Sequence, residues 1–398
     1  MPANSIISTI DRAQFDALMQ NRTEPDWMTV QREAAWQAFE AAELPLWRRS
    51  RMKDFDFGAF TMAEAAITID FAGADGVVVL PFAEALQKHG DLVKRVFASA
   101  IHTDRDKFTA LNNALVNGGV FIYVPKECEV EAPVHIQYRV KNAGDMVAPR
   151  TLGLIERHSR IKIIEEYISD DFDTPALVLT GAEFEVGDSA AVNYTWVQNL
   201  GRNVSIIGGQ QLNLAGNDAQ GEWLNIILGS TLQHVTLEAQ MRGNGSSISW
   251  NGVIYGNANQ NLLVAPTLNH IGLNTEGQIN FKTVVDDSAY AVFDGMVRIP
   301  KSGQGTNSDL RENAMHLSKN ARSDSIPGLE IDANEVKAGH GSTSGQLDEE
   351  QVFYLQSRGL PFEEAKRTIV LGFVGEIIDM IPNEELRDRI EEVVADKV

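Results

Sequence analysis

One cysteine, Cys128, stands among 398 residues. A disulfide within the chain is therefore excluded, and so is a cluster held by four thiolates of this chain alone. Cys128 lies in Pro125-Lys126-Glu127-Cys128-Glu129, and two flanking acids are a poor setting for a thiolate nucleophile. Long apolar runs are missing too. No stretch approaches the ~18 consecutive apolar residues of a membrane helix. Met1 to Met28 is polar and acid-bearing, without the apolar core of a secretory signal, so a cytoplasmic location is expected. Positive charge is short: 34 Lys and Arg face 55 Asp and Glu, a net charge of −21. Such a chain is repelled by a nucleic-acid backbone or an anionic lipid surface, so neither is an expected partner. The one basic run, Arg48-Arg49-Ser50-Arg51-Met52-Lys53, reads as a solvated loop or helix face.

Catalytic signatures are equally sparse. There is no Gly-x-x-x-x-Gly-Lys-Ser/Thr loop, and Gly303-Gln304-Gly305 lacks the third glycine of a dinucleotide fingerprint. Gly341-Ser342-Thr343-Ser344-Gly345 puts Thr where a hydrolase elbow carries its nucleophile, and its surroundings are not strand–turn–helix. The eight histidines (89, 102, 135, 158, 234, 270, 316, 340) show no metal-ligand spacing. Asp286-Asp287 invites a solenoid polysaccharide lyase or hydrolase. Adjacent strand residues, however, point to opposite faces and would not converge on one substrate.

What is present divides into three regions. Residues 1–100 read as mostly helical, with Val30–Phe39 a run of good helix formers carrying Trp36 and Phe39, then Leu44, near helical spacing before Pro45. A second helix is expected over Pro81–Ala100. Residues 101–345 form the β-core, with short runs at Val120–Val124, Val134–Val140, Ile161–Ile168, Ala190–Val197, Trp223–Leu228 and Ile248–Tyr255. Glycines at 187, 201, 216, 229, 243, 256 and 272 punctuate it at spacings of 13 to 16. Strands this short and even mean a sandwich, barrel or solenoid. Gly-Asn corners such as Gly216-Asn217 and Gly243-Asn244-Gly245, where turns need positive φ, favour the solenoid. Residues 346–398 are helical again: Asp348–Arg358 capped by Gly359, a helix after Pro361, and Glu384–Val394. Phe362, Ala365, Ile369, Phe373 and Ile377 would share one face of the middle helix.

Three blocks in order resemble the SufB/SufD family of iron–sulfur cluster assembly proteins. They are Leu111–Leu115 with Gly118–Lys126, Phe293–Ile299, and Pro327–Gly359 centred on His340. His340-Gly341 followed by Thr343 and Gly345-x-Leu347-Asp348 is similar to the SufD pattern. Ala338 stands where such sequences commonly carry cysteine. The resemblance implies a mainly β fold, a right-handed parallel β-helix between N- and C-terminal helical regions. It implies a non-enzymatic scaffold that pairs with a SufB-type subunit, or with itself in isolation, and docks a SufC-type ATPase on the C-terminal helices. His340 is then the expected iron or cluster contact, at a site shared across the subunit interface, with no cofactor held stably by this chain alone. Val352, Phe353, Leu355, Arg358 and Phe373 are the expected ATPase-docking residues. A SufB-like chain that itself receives the cluster is the alternative within the family.

Overall fold

The computed structural model describes residues 11–20, 22–43, 49, 60–99 and 101–398. Its helices are α1 (Arg12–Gln20), α2 (Asp26–Ala41), α3 (Phe82–Val96), α4 (Lys107–Leu115), α5 (Glu349–Ser357), α6 (Phe362–Ile378) and α7 (Glu384–Lys397). Three short strands, β1 (Thr61–Met62), β2 (Ala66–Asp70) and β3 (Val78–Pro81), interrupt the expected N-terminal helical stretch. The core runs through β4 (Gly118–Val124), β5 (Val134–Arg139), β6 (Asp145–Val147), β7 (Pro149–Ile155), β8 (Arg160–Ile168) and β9 (Ala176–Val186). It continues through β10 (Ala191–Asn199), β11 (Val204–Leu214), β12 (Gln220–Ile227), β13 (Leu232–Met241), β14 (Ser247–Gly256), β15 (Asn261–His270) and β16 (Glu276–Val285). It ends with β17 (Tyr290–Phe293), β18 (Met296–Ile299), β19 (Thr306–His316), β20 (Arg322–Ser325), β21 (Gly328–Ile331) and β22 (Val336–Gln346).

From β4 onward every strand pair within the core is parallel, and the chain alternates between two sheets. The first sheet runs β20-β17-β15-β13-β11-β9-β7-β4-β3, with β18 and β21 extending it beside β15; the second runs β2-β5-β8-β10-β12-β14-β16-β19-β22. This is a parallel β-helix of about eight turns. Residues stacked on successive turns of the second sheet are 27 to 31 apart. The glycine spacing seen in the sequence is thus half a turn, one corner per sheet crossing.

The corner glycines serve a different purpose from the expected one. None of 187, 201, 216, 229, 243, 256 and 272 has positive φ. A β-carbon at Gly243 would land on the Gly216 carbonyl, and one at Gly216 on the Gly187–Asp188 peptide, so stacking of one turn on the next excludes side chains there. Positive φ falls two residues later at six of these corners, at Ser189, Asn203, Asp218, Gly245, Ala258 and Asn274, and one residue after Gly229, at Ser230. Six corners therefore read Gly-x-left-handed residue, with the third position set by turn geometry and the glycine, at every corner but Gly256, by close approach of the neighbouring turn's backbone.

Helices cover the outer faces unequally. Asp106 caps α4 by accepting from the Phe108 and Thr109 amides, and α4 then packs with Leu111 and Leu115 against Leu177, Leu179 and Ile207 of the first sheet. On the second sheet α6 and α7 lay Val370, Val374, Ile377, Leu386, Ile390 and Val394 against Ile164, Val197, Ile226, Val253 and Val284. The buried seam of α6 is Ala365, Val370, Val374, Ile377 and Ile378, so Phe362 is displaced from the inner face expected for it. The expected Asp286-Asp287 strand pair lies instead at a corner, where Asp286 accepts from Lys366 at 2.8 Å and Asp287 from the Ala258 amide at 2.9 Å. Leu44, Pro45, Ala100 and the basic run at 48–53 lie outside the described residues, except Arg49, which is 3.6 Å from Asp324 Oδ2.

Candidate functional site at the open end of the solenoid

The two ends of the β-helix are finished differently. At the start, β2 and β3 add antiparallel to β5 and β4, closing both sheets against further parallel growth. At the finish, β22 pairs only with β19, β20 only with β17 and β21 only with β18. Among the described residues nothing pairs with the far side of these three strands. The last turn therefore presents a row of open backbone donors and acceptors, the template that natural proteins usually cover or blunt. β22 does little to blunt it: Gly339, Gly341, Ser342, Thr343, Ser344 and Gly345 are small and uncharged.

His340 lies in the middle of β22, not at a strand end. It is in register with Leu310, which is fully buried in the interior of the helix. Parallel neighbours in register point the same way and alternate along the strand. Ala338, His340, Ser342 and Ser344 thus face the lumen mouth, while Lys337, Gly339, Gly341, Thr343 and Gly345 face outward. Across the mouth, Ser323 and Ser325 lie over the inward-facing Ala291 and Phe293. Behind Ser342 sits Glu312, 2% exposed, with Oε2 lacking a hydrogen-bond partner. Burial raises its pKa against the opposing pull of the Thr283 and Ser325 hydroxyls. His316 donates to or accepts from Ser323 at 2.9 Å, and burial lowers its pKa.

Sequence reasoning reached His340 but missed Glu312. The signal was there in Asp309-Leu310-Arg311-Glu312, where alternation places Glu312 on the same inner face as Leu310. No group of three or more His, Cys, Asp or Glu able to hold a metal occurs among the described residues. Cys128 packs beside the first turns, joined to β8 through the Arg160 amide. Six turns of ~4.8 Å, roughly 29 Å, separate β8 from β22, so Cys128 and His340 cannot share an ion.

The five expected docking residues do not form one face. Val352 is buried, and Leu355 is half-buried. Phe373 is half-buried against the second sheet, with Lys282 Nζ 5.4 Å from its ring centre. Phe353 is 72% exposed, and Arg358 is exposed with its guanidinium 5.1 Å over the Tyr354 ring. Tyr354 and Phe362 add exposures of 56% and 50%. The apolar surface of α5 and the start of α6 is thus Phe353, Tyr354 and Phe362, next to the open edge.

The family profile described as "SUF system FeS cluster assembly, SufBD core domain" matches residues 138–373, and "SufBD protein N-terminal region" matches residues 67–136. The chain is 32% identical over 326 residues to the iron–sulfur cluster assembly protein SufD of Bacillus subtilis, covering 81% of this chain and 74% of that one. It is 28% identical over 309 residues to an iron–sulfur cluster assembly SufBD family protein of Staphylococcus aureus, covering 78% of this chain and 66% of that one, just under two thirds of its length. The core profile alone spans more than half of the chain, so this chain belongs to the SufBD family of iron–sulfur cluster assembly proteins.

Proposed function

We propose that this chain is the SufD-like scaffold subunit of a cluster assembly complex. In this reading a SufB-type subunit pairs along the last turn of its β-helix, and a SufC-type ATPase docks on α5 and α6. The observation that carries it is the asymmetry of the two ends. One end is closed by antiparallel strands, whereas the other leaves β20, β21 and β22 open with a flat run of small residues. An edge of that kind recruits a strand from another chain. His340, exposed at the mouth, then faces whatever ligands the partner brings. ATP is hydrolysed by the partner, and this chain acts as support and contact surface. The exposed Phe353, Tyr354 and Phe362, with Arg358 beside them, supply the aromatic and arginine anchors that dominate protein interfaces.

Co-expression with SufB-type and SufC-type partners from one source, followed by co-purification, tests this directly; no complex at micromolar concentration would sink it. Two variant sets refine the test. Proline placed at Ser342 and at Thr343 in turn removes successive backbone N–H groups, which point to opposite sides of β22. One variant is expected to lose the SufB-type partner with its melting unchanged; the other disturbs the ladder to β19 and melts earlier. Equal pairing by both variants would exclude the edge. Separately, Phe353→Asp is expected to weaken the ATPase at least about tenfold, as loss of an interface anchor does. SufB-type pairing should remain, as measured by titration calorimetry.

A further inference from the structure

Among the described residues Glu312 is the one carboxylate buried immediately beneath the lumen mouth, and the assembly reading does not account for it. It lies in an inward row that runs Phe281, Glu312, Ser342 across successive turns of the second sheet. Below it Phe281 is fully buried and apolar, and against burial the carboxylate has the support of two neutral hydroxyls, Thr283 and Ser325. Its Oε2 has no hydrogen-bond partner although the residue is 2% exposed. A buried carboxylate oxygen left unpaired is costly unless a proton or a cation completes it. The cationic side chains nearby are occupied elsewhere: Arg311 alternates to the outer face and pairs with Asp309 at 2.6 Å, and Arg322 pairs with Asp324 at 3.0 Å.

His340 is one turn above Glu312 and two residues back along the strand. At ~4.8 Å per turn and ~3.3 Å per residue, the two α-carbons are roughly 8 Å apart, a separation that two ligands of one ion span. Both side chains belong to the inward face, with Ser342 between them and Ser325 across the mouth.

We propose that Glu312 is a second metal-binding residue of this chain, which together with His340 receives a divalent transition cation at the lumen mouth. An imidazole nitrogen and a carboxylate oxygen suit ferrous iron and its neighbours in the first transition row, and the remaining positions go to water or to a partner's side chains. The inference rests on the reading of His340 as a cargo contact and adds to it the anionic ligand on this chain. It also gives the open lumen a polarity: the cation enters from the partner side and is held against a carboxylate that has apolar packing behind it.

The test is an anaerobic Co2+ titration of the full chain, read by calorimetry and by d–d absorption, repeated with Fe2+. Wild type, H340A, E312Q, E312D and the control E330Q are compared; Glu330 lies in the outward row of the last turn, paired with Arg298. E312Q and H340A are each expected to weaken binding about tenfold or more and to change the absorption band. E312D should restore part of the affinity, and E330Q should leave it unchanged. Melting of E312Q is expected to match or exceed wild type, which separates lost metal binding from lost folding. Binding by E312Q within twofold of wild type, with H340A impaired, would overturn the inference and leave the assembly reading intact. A wild-type chain that binds neither ion would also overturn it, since both residues are on this chain; the assembly reading is decided independently by co-purification.

Discussion

Replacing Arg150 with methionine is expected to cost about 3–5 kcal/mol, the range found when one partner of a buried ion pair is removed. Arg150 and Glu183 are 1% and 0% exposed at their side chains. The guanidinium donates through Nε and Nη2 to Glu183 Oε1 at 3.1 and 2.5 Å, and through Nη1 to Asn112 and Asn113 Oδ1 at 2.7 and 2.5 Å. Glu183 in turn accepts from the Ala98 and Ile101 amides at 2.9 and 2.8 Å. Methionine fills much of the volume but leaves a carboxylate buried beside two amides without its cation. Because the pair fastens Ala98, Ile101, Asn112 and Asn113 to the first sheet, the loss should be local first. Hydrogen exchange should show deprotection of α3 and α4 before the β-helix opens. Equal protection of these two helices in wild type and R150M would contradict the account. Glu183→Gln in the R150M background should recover part of the loss, because it removes the uncompensated charge.

The outcome shows which parts of the fold sequence alone can reach. Strands facing solvent on one side are visible through alternation, as in residues 235–241, whose burial alternates from one residue to the next. Strands covered on both sides are not: Ala176–Val186 is buried almost throughout, because α4 lies over one face and the lumen under the other. The even glycines betrayed the half-turn but not their reason, since close approach between turns is a long-range contact that no local pattern encodes. The same limit explains the helical tail. Periodicity placed Phe362 on the inner face of α6, yet the helix enters at an angle that aligns Val370 and Val374 with the sheet instead. His340 was legible through its motif. Its orientation was not, because that depends on register with Leu310 one turn earlier.

Both faces of the second sheet are used, and adjacent acids show how differently. Glu166 points outward beneath α7, where His135 Nε2 at 2.5 Å and Arg389 Nη2 at 2.7 Å hold its carboxylate. Burial opposes ionisation there, but the hydrogen bond from His135 and the charge of Arg389 outweigh it and lower the pKa. The C-terminal helices are thereby tied to the early turns of the solenoid, far along the axis from the open edge. Glu165, one residue away, points into the lumen and meets the opposite conditions.

Glu165→Gln is expected to stabilise the protein at neutral and alkaline pH, and the gain should vanish in acid. Glu165 is in register with the inward-facing Ile136 and Trp196 and is fully buried. Among the described residues no cation offsets its charge; burial lifts its pKa from 4.5 to about 7, although the Thr151, Tyr167 and Tyr194 hydroxyls partly support the ionised form. Those tyrosines, with Tyr138, are themselves held protonated by burial and by the adjacent carboxylate. A raised carboxyl pKa means that the folded chain keeps a proton which the unfolded chain releases. Stability from this group is therefore complete below about pH 4.5 and is lost as pH rises to about 7. At ~1.4 kcal/mol per pH unit the loss totals ~3 kcal/mol, after which it is constant. Wild type should show this fall in urea midpoints between acid and neutral pH, after correction for the other titrating groups by comparison with E165Q. The two proteins should converge near pH 4.5, with E165Q more stable by up to ~3 kcal/mol at pH 8. A constant difference across that range would mean that Glu165 is ionised throughout, and the lumen would then have to supply a compensating donor set stronger than its three hydroxyls.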